Sequence, residues 1–415
     1  LLSHAVLFGN EEPGVEQPIY QLEDFVVSAG PVARSVDDYA VPVTTLDASA
    51  LRRKSSSTLG ELLDGQPGVS ASSFGGAVSR PIIRGFDGPR VAILSSGLST
   101  GDVSATSPDH AVTVEPLFTK RVEVLRGPGT LLYGSTAIGG VVNVVGREMP
   151  REQPNSALSG AFEARHDTVS NGDTTAGYTT FKEGSLVVTL QGLESQADDY
   201  EIPSHPEAVP DEPQEGDTLG SSFFETDFYS VGASWFFNEQ NYLGFSVSKY
   251  DSFYGISGHE HHQEEEEGGE EEEEVAIDME YSRFDAELAI FEPTQWIEAF
   301  RVRFGYTDYM HVEGAGGEAS TFDRESWELR AEAAHDNWAI FSGGIFGVQL
   351  NDADFQAIGD EIAGFDGGAA FGPPSTTRSQ AFFFSEQIDN NSSDLSFEIG
   401  GRIERQTIDV DDNSD

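Results

Sequence analysis

Residues 255–275 read GISGHEHHQEEEEGGEEEEEV. His259, His261 and His262 flank Glu260, and two glutamate runs follow, Glu264–Glu267 and Glu270–Glu274. Imidazole nitrogen suits zinc, copper and nickel, while carboxylates add harder oxygen ligands and negative charge. Ligands packed this densely form many low-order sites rather than one fixed cage. Such a loop concentrates divalent cations. The competing account is an acidic tract that is simply solvated. Three histidines beside the acids favour metal capture.

Other chemistries find less support. Gly127-Pro128-Gly129 follows an apolar run, but a dinucleotide turn needs a third glycine where Leu132 stands. These glycines serve turns and close backbone contacts. No placed Ser/His/Asp set argues for an enzyme. His166, His205 and His335 stand alone and read as loop or interface residues. The chain has 72 acidic against 23 basic residues over 415 positions, a net charge of −49. That balance excludes nucleic acid as a partner and favours cations, or else serves solvation in a salty habitat. Without cysteine there is no disulfide framework and no thiolate metal site. No run of 18 apolar residues marks a membrane helix, but a β-barrel gives no such run. Leu1–Phe8 is apolar and is expected to be the tail of a signal peptide, so that the true N-terminus precedes it.

The elements that must position these residues follow from pattern. Asp47 is placed to cap a short helix through Leu51, and Thr58 a second one carrying Leu59, Leu62 and Leu63, stopped at Gly65-Gln66-Pro67-Gly68. Apolar runs at Val91–Leu94, Arg121–Leu125 and Val141–Val145 alternate with glycine-rich turns, as in a small mixed domain. After Pro150 the texture changes to eleven alternating segments: Ala157–Asp167, Thr174–Phe181, Ser185–Asp198, Phe223–Phe237, Tyr242–Phe253, Ala276–Phe291, Trp296–His311, Thr321–Ala334, Trp338–Leu350, Thr377–Gln387 and Asp394–Asp409. Short connections, including His335–Asn337, alternate with long ones at Tyr200–Ser222, Tyr254–Val275 and Asn351–Thr376. That alternation is the pattern of a transmembrane antiparallel barrel. Asp251, Asp278 and Asp285 are expected to face its polar lumen. An odd strand count leaves the sheet open, which lipid does not tolerate. The rest of the barrel is therefore expected beyond this chain.

Several motifs occur together in order: Arg84-Gly85-Phe86, Val122-Glu123-Val124-Leu125-Arg126-Gly127-Pro128, Leu132-Tyr133-Gly134 and Gly139-Gly140-Val141-Val142-Asn143. The chain resembles the TonB-dependent outer-membrane receptors in these residues. The resemblance implies an α+β plug domain over residues 31–150, preceded by a leader (1–30) and followed by a partial β-barrel (151–415) of about eleven strands from 22. It implies residence in the bacterial outer membrane, among its lipids, and energy supplied by TonB with ExbB and ExbD. Asp24, Phe25, Val26, Val27, Ser28 and Ala29 resemble the TonB box, which binds its partner by strand addition.

Ser107-Pro108-Asp109-His110-Ala111 and Asp308-Tyr309-Met310-His311-Val312-Glu313 are similar to motifs of the zinc-uptake branch. They nominate Asp109, His110 and Glu313, and secondarily His311, as ligands, with His259, Glu260, His261 and His262 gathering metal. On this reading Zn²⁺ is the transported ligand, no catalytic cofactor is needed and the protein is not an enzyme. Protonation of the histidines should weaken capture near pH 5–6. The alternatives are a receptor of the same fold for a siderophore or other organic chelate, and a non-transporting cation-binding surface protein.

Overall fold

The computed structural model describes residues 26–27, 34–35, 43–54, 56–135, 137–203, 218–257, 275–315, 318–359, 372–390 and 395–411. Val26–Val27 (β1) pair antiparallel with Arg34–Ser35 (β2). Asp24, Phe25, Ser28 and Ala29 of the expected TonB box lie outside the described residues.

The N-terminal domain is built on β3 (Val43–Asp47), β6 (Val91–Ser95), β7 (Leu98–Ser99), β8 (Thr119–Leu125) and β9 (Gly140–Gly146), in the order β3-β8-β9-β6-β7. Only the β6–β9 pair is parallel. A separate hairpin joins β4 (Val69–Ser73) to β5 (Ser79–Ile83). The helices α1 (Ala48–Lys54) and α2 (Leu59–Leu63) pack Leu51, Leu62 and Leu63 against Ile83, Val122, Val124 and Val142. Each such leucine withdrawn from water contributes about 1.5–3 kcal/mol.

Asp47 caps α1 as expected: its carboxylate accepts from the amides of Ser49 at 2.9 Å and Ala50 at 2.8 Å. Hydrogen bonding from the Ser49 side chain, then from the Ala50 amide, lowers its pKa. Asp47→Ala is therefore expected to destabilise the plug by about 0.5–2 kcal/mol at neutral pH, measured by denaturation midpoint. A depressed carboxyl pKa contributes stability above the unfolded value and loses it as pH falls through the folded value. The difference from wild type should accordingly shrink in acid. Thr58 occupies the N-cap of α2, but no hydrogen bond reaches its buried hydroxyl. The α2 turn is held by leucine burial instead.

The remaining strands form one antiparallel sheet of eleven, each paired with its sequence neighbours. They are β10 (Leu158–Asp167), β11 (Gly172–Glu183), β12 (Leu186–Ala197), β13 (Phe224–Phe236), β14 (Tyr242–Gly255), β15 (Ala276–Thr294), β16 (Ile297–Ala315), β17 (Glu318–Trp338), β18 (Phe341–Gly359), β19 (Gly372–Asn390) and β20 (Leu395–Val410). All eleven expected segments become strands, and several run longer. Residues 335–337, expected as a turn, lie inside β17, and Trp338 pairs with Phe341 across a turn in which Ala339 has φ 58°. The expected loop from Asn351 is strand as far as Gly359, with Asp352 paired to Arg378 at 2.8 Å. Hydrophobic alternation marks only the lipid zone, so polar strand ends beyond it carry no strand signal in the sequence.

Alternate residues face opposite sides of a strand. On one face Val231, Phe245, Val247 and Trp235 stand exposed, as a lipid-facing band does. A strand needs only about 9–11 residues to cross, so the 19 to 21 residues of β15, β16 and β17 stand well beyond that band. Their outward faces turn polar toward the end bearing the longer connections, as where Val302, Phe304 and Tyr306 give way to Asp308. Asp251 and Asp278 fall in this outward phase, contrary to expectation; Asp285 is in the inward phase and pairs with Arg283. Their opposite phases follow from the two-residue period: β15 buries Ile277, Met279 and Tyr281, and β14 buries Tyr250 and Tyr254.

The inward face carries the plug. Tyr281 donates to the Thr100 carbonyl at 2.6 Å, the Ser99 amide donates to Glu328 at 2.9 Å, and Arg330 donates to the Leu132 carbonyl at 2.7 Å. Approach is close enough that Gly101, at φ +75°, has no room for a Cβ beside Thr307.

Candidate metal centre

His311 and Glu313 are two residues apart on β16 and so share its inward face. Their cross-strand partners are Met279 and Ile277 on β15, and Phe322 and Ser320 on β17. This places them at the loop-bearing end of the wall, beside the bases of the histidine-rich loop: Tyr254 pairs with Ile277, and the Ile256 amide donates to the Val275 carbonyl at 3.1 Å. His259, Glu260, His261 and His262 lie outside the described residues.

His110 comes from the plug, on the segment between β7 and β8. Two side chains, buried Arg80 and half-buried Asp102, hold that segment in shape. Arg80 donates to the carbonyls of Ser104 and Ser107 and pairs with Asp87 at 2.9 Å. Asp102 accepts from the Ser104 hydroxyl at 2.7 Å and from the amide and hydroxyl of Thr113 at 3.1 and 2.9 Å. A turn closes where the His110 amide donates to the Ser107 carbonyl at 3.4 Å. It presents His110 to the wall and brings the Ser107 hydroxyl onto the Asp109 carboxylate.

One ligand atom each from His110, His311 and Glu313 lies within 4.8 Å of the others. The Glu313 carboxylate is 3.6 Å from His110 Nε2 and 4.0 Å from His311 Nε2. Ligands on a tetrahedral zinc, with bonds of about 2.0–2.2 Å, are about 3.4 Å apart. A small contraction would close the set. The imidazole centroids are 4.6 Å apart, and Phe322 stacks on His311 at 4.4 Å. Both histidines are buried, at 2% and 0% exposure.

One of the two imidazoles is already sorted. His110 Nδ1 faces the Val103 carbonyl at 3.3 Å, which only accepts, so Nδ1 carries the proton and Nε2 keeps its lone pair. His311 Nδ1 meets the Tyr309 hydroxyl at 2.8 Å. Among the described residues no hydrogen bond reaches His311 Nε2. A buried ring nitrogen without a partner is costly unless something occupies the space in front of it. Sequence reading nominated the two histidines and Glu313 but missed Tyr254, Tyr309 and Phe322. The two-residue period counted back from His311 would have found Tyr309. Cross-strand register is needed for Phe322, and plug docking for Tyr254.

Two other histidines hold carboxylates rather than a metal set: His335 is buried against Glu386 at 3.0 Å, and exposed His166 meets Asp173 at 3.0 Å.

Residues 35–141 match the family model described as TonB-dependent Receptor Plug Domain. A hemin receptor from Yersinia pestis is 29% identical over 124 residues, which are 30% of this chain and 18% of that protein. Among solved structures, the copper transporter OprC superposes with a TM-score of 0.68 at 16% identity, over 89% of this chain and 55% of that one. The ferric yersiniabactin uptake receptor FyuA from Yersinia pestis gives 0.62 at 16% identity, over 90% and 62%. The chain spans less than two thirds of each. It thus carries a TonB-dependent receptor plug domain and, around it, an eleven-stranded antiparallel sheet with the fold of outer-membrane receptor barrels.

Proposed function

We propose that this chain is the plug and first part of the barrel of a TonB-dependent importer of a divalent metal ion, with zinc the foremost cargo. The observation that carries the reading is the convergence of His110 from the plug with His311 and Glu313 from the wall. Two imidazoles and a carboxylate are a zinc donor set with a fourth position free for water or a further side chain. Asp109, one residue from His110, is close enough in sequence to join after a local turn. The acidic, histidine-bearing loop raises the local cation concentration.

The split origin of the ligands supplies a release step. A metal held between plug and wall is bound only while both are in register. A pull by TonB through Asp24–Ala29 shifts the plug, separates His110 from His311 and Glu313, and dismantles the site. The expected partners are TonB with ExbB and ExbD.

Copper is the rival ion, because imidazole and carboxylate sites bind it more tightly than zinc. The organic-chelate alternative draws on neighbours such as FyuA, named for ferric yersiniabactin. Isothermal titration of the whole receptor with zinc, copper, nickel and a ferric siderophore separates these readings. One-site zinc binding that is lost when Asp109 and His110 are both changed to alanine supports the proposal. Chelate binding with only weak, multi-site metal signals would overturn it.

A further inference from the structure

Two buried tyrosines of the wall surround the candidate centre without supplying a ligand atom. Tyr309 is 1% exposed and Tyr254 fully buried. Tyr309 precedes His311 by two residues on the same inward face of β16, and its hydroxyl lies 2.8 Å from His311 Nδ1. Tyr254, at the top of β14, straddles the plug ligand: its hydroxyl accepts from the Ala111 amide at 3.0 Å and donates to the Asp109 carbonyl at 3.4 Å. The wall thereby grips the backbone on both sides of His110.

Resting on the metal reading above, we infer that Tyr254 and Tyr309 are positioning residues: Tyr309 orients the His311 ring through Nδ1 so that Nε2 faces the metal, and Tyr254 fixes His110 in register with the wall. An imidazole held through one nitrogen presents the other in a fixed direction, and partners of this kind change metal affinity by about 10–100-fold. When the Tyr309 hydroxyl accepts from Nδ1–H, His311 Nε2 is left as the lone-pair atom. His110 has the same polarity through the Val103 carbonyl, so both Nε2 atoms and the Glu313 carboxylate present acceptors to one point. Phe322, stacked on His311, blocks ring rotation from the other side but offers no polar atom. The Tyr309 hydroxyl is therefore the polar group that sets the direction of the His311 ring, while Tyr254 holds the backbone beside His110.

The test uses the whole receptor carrying Tyr309→Phe or Tyr254→Phe, titrated with Zn²⁺ and, for its visible spectrum, with Co²⁺. Each variant is expected to lose about 10–100-fold in affinity and to change the Co²⁺ band. Tyr281→Phe is the comparison, because Tyr281 also bonds the plug, at the Thr100 carbonyl, but touches none of the three ligands. It should leave metal affinity within about 2-fold of wild type, the scatter between uncoupled groups, because phenylalanine keeps the ring packed on Tyr309 and loses only the hydroxyl's bonds to Thr100 and Arg283. A double-mutant cycle separates positioning from packing: in a His311→Ala background, Tyr309→Phe should add nothing. Wild-type affinity in both tyrosine variants, or an undiminished effect of Tyr309→Phe without His311, overturns the inference while leaving the metal site standing. Absence of one-site zinc binding in the wild type overturns both.

Discussion

Replacing His110 by alanine is expected to abolish high-affinity zinc binding by the whole receptor, with a loss above the roughly 100-fold that an outer partner alone can account for. The reason is geometric. His110 is the single plug residue among the three converging side chains, and its Nε2 lies nearer the Glu313 carboxylate than His311 Nε2 does, at 3.6 Å. Without it, His311 and Glu313 remain as two residues of one strand, which hold a metal no better than many surface pairs. The loop glutamates would still give a weak, multi-site background, removed by moderate salt because loose ion pairing is screened. Isothermal titration at two ionic strengths distinguishes the components. One-site binding that survives the substitution would mean that zinc is held elsewhere, and the split-site release mechanism would fall with it.

Glu287→Ala is expected to produce the largest loss of stability. Glu287 is 2% exposed on the inward face of β15, below the candidate centre. Its carboxylate accepts from Arg151 at 2.9 Å and from the Tyr242 hydroxyl at 2.6 Å, and pairs with Arg301 at 3.3 Å. It thus joins the segment that follows the plug domain to three barrel strands. Removing one member of a buried ionic set leaves the others uncompensated, at about 3–5 kcal/mol. Glu287→Gln keeps the shape and part of the hydrogen bonding, so its loss should be smaller. Denaturation midpoints in detergent are the measurement. A loss below about 1 kcal/mol for the alanine variant, the scale of an exposed pair, would show that water reaches the network. The metal site, several residues further up the strands, should be unaffected in its ligand geometry.

The sequence by itself determined the two-part organisation and the strand positions. The reason is periodicity: a wall with lipid on one side and plug on the other imposes alternation, and every expected segment appears in the eleven-stranded sheet. Asp47 was legible as a cap because capping is local, settled within three residues. Where the period lost its apolar signature, beyond the lipid band, the strand ends at Gly359 and Gly372 and the outward phase of Asp251 and Asp278 were not legible. The ligand residues were nominated from motifs, but their meeting was not. His110 and Glu313 lie 203 positions apart, and only docking of the plug against the inward face of β16 brings them within 3.6 Å. Tyr254 and Tyr309 carry no ligand signature in the sequence. Their hydroxyls acquire a role only through burial, which removes competing water and leaves each hydroxyl the partners the fold puts before it.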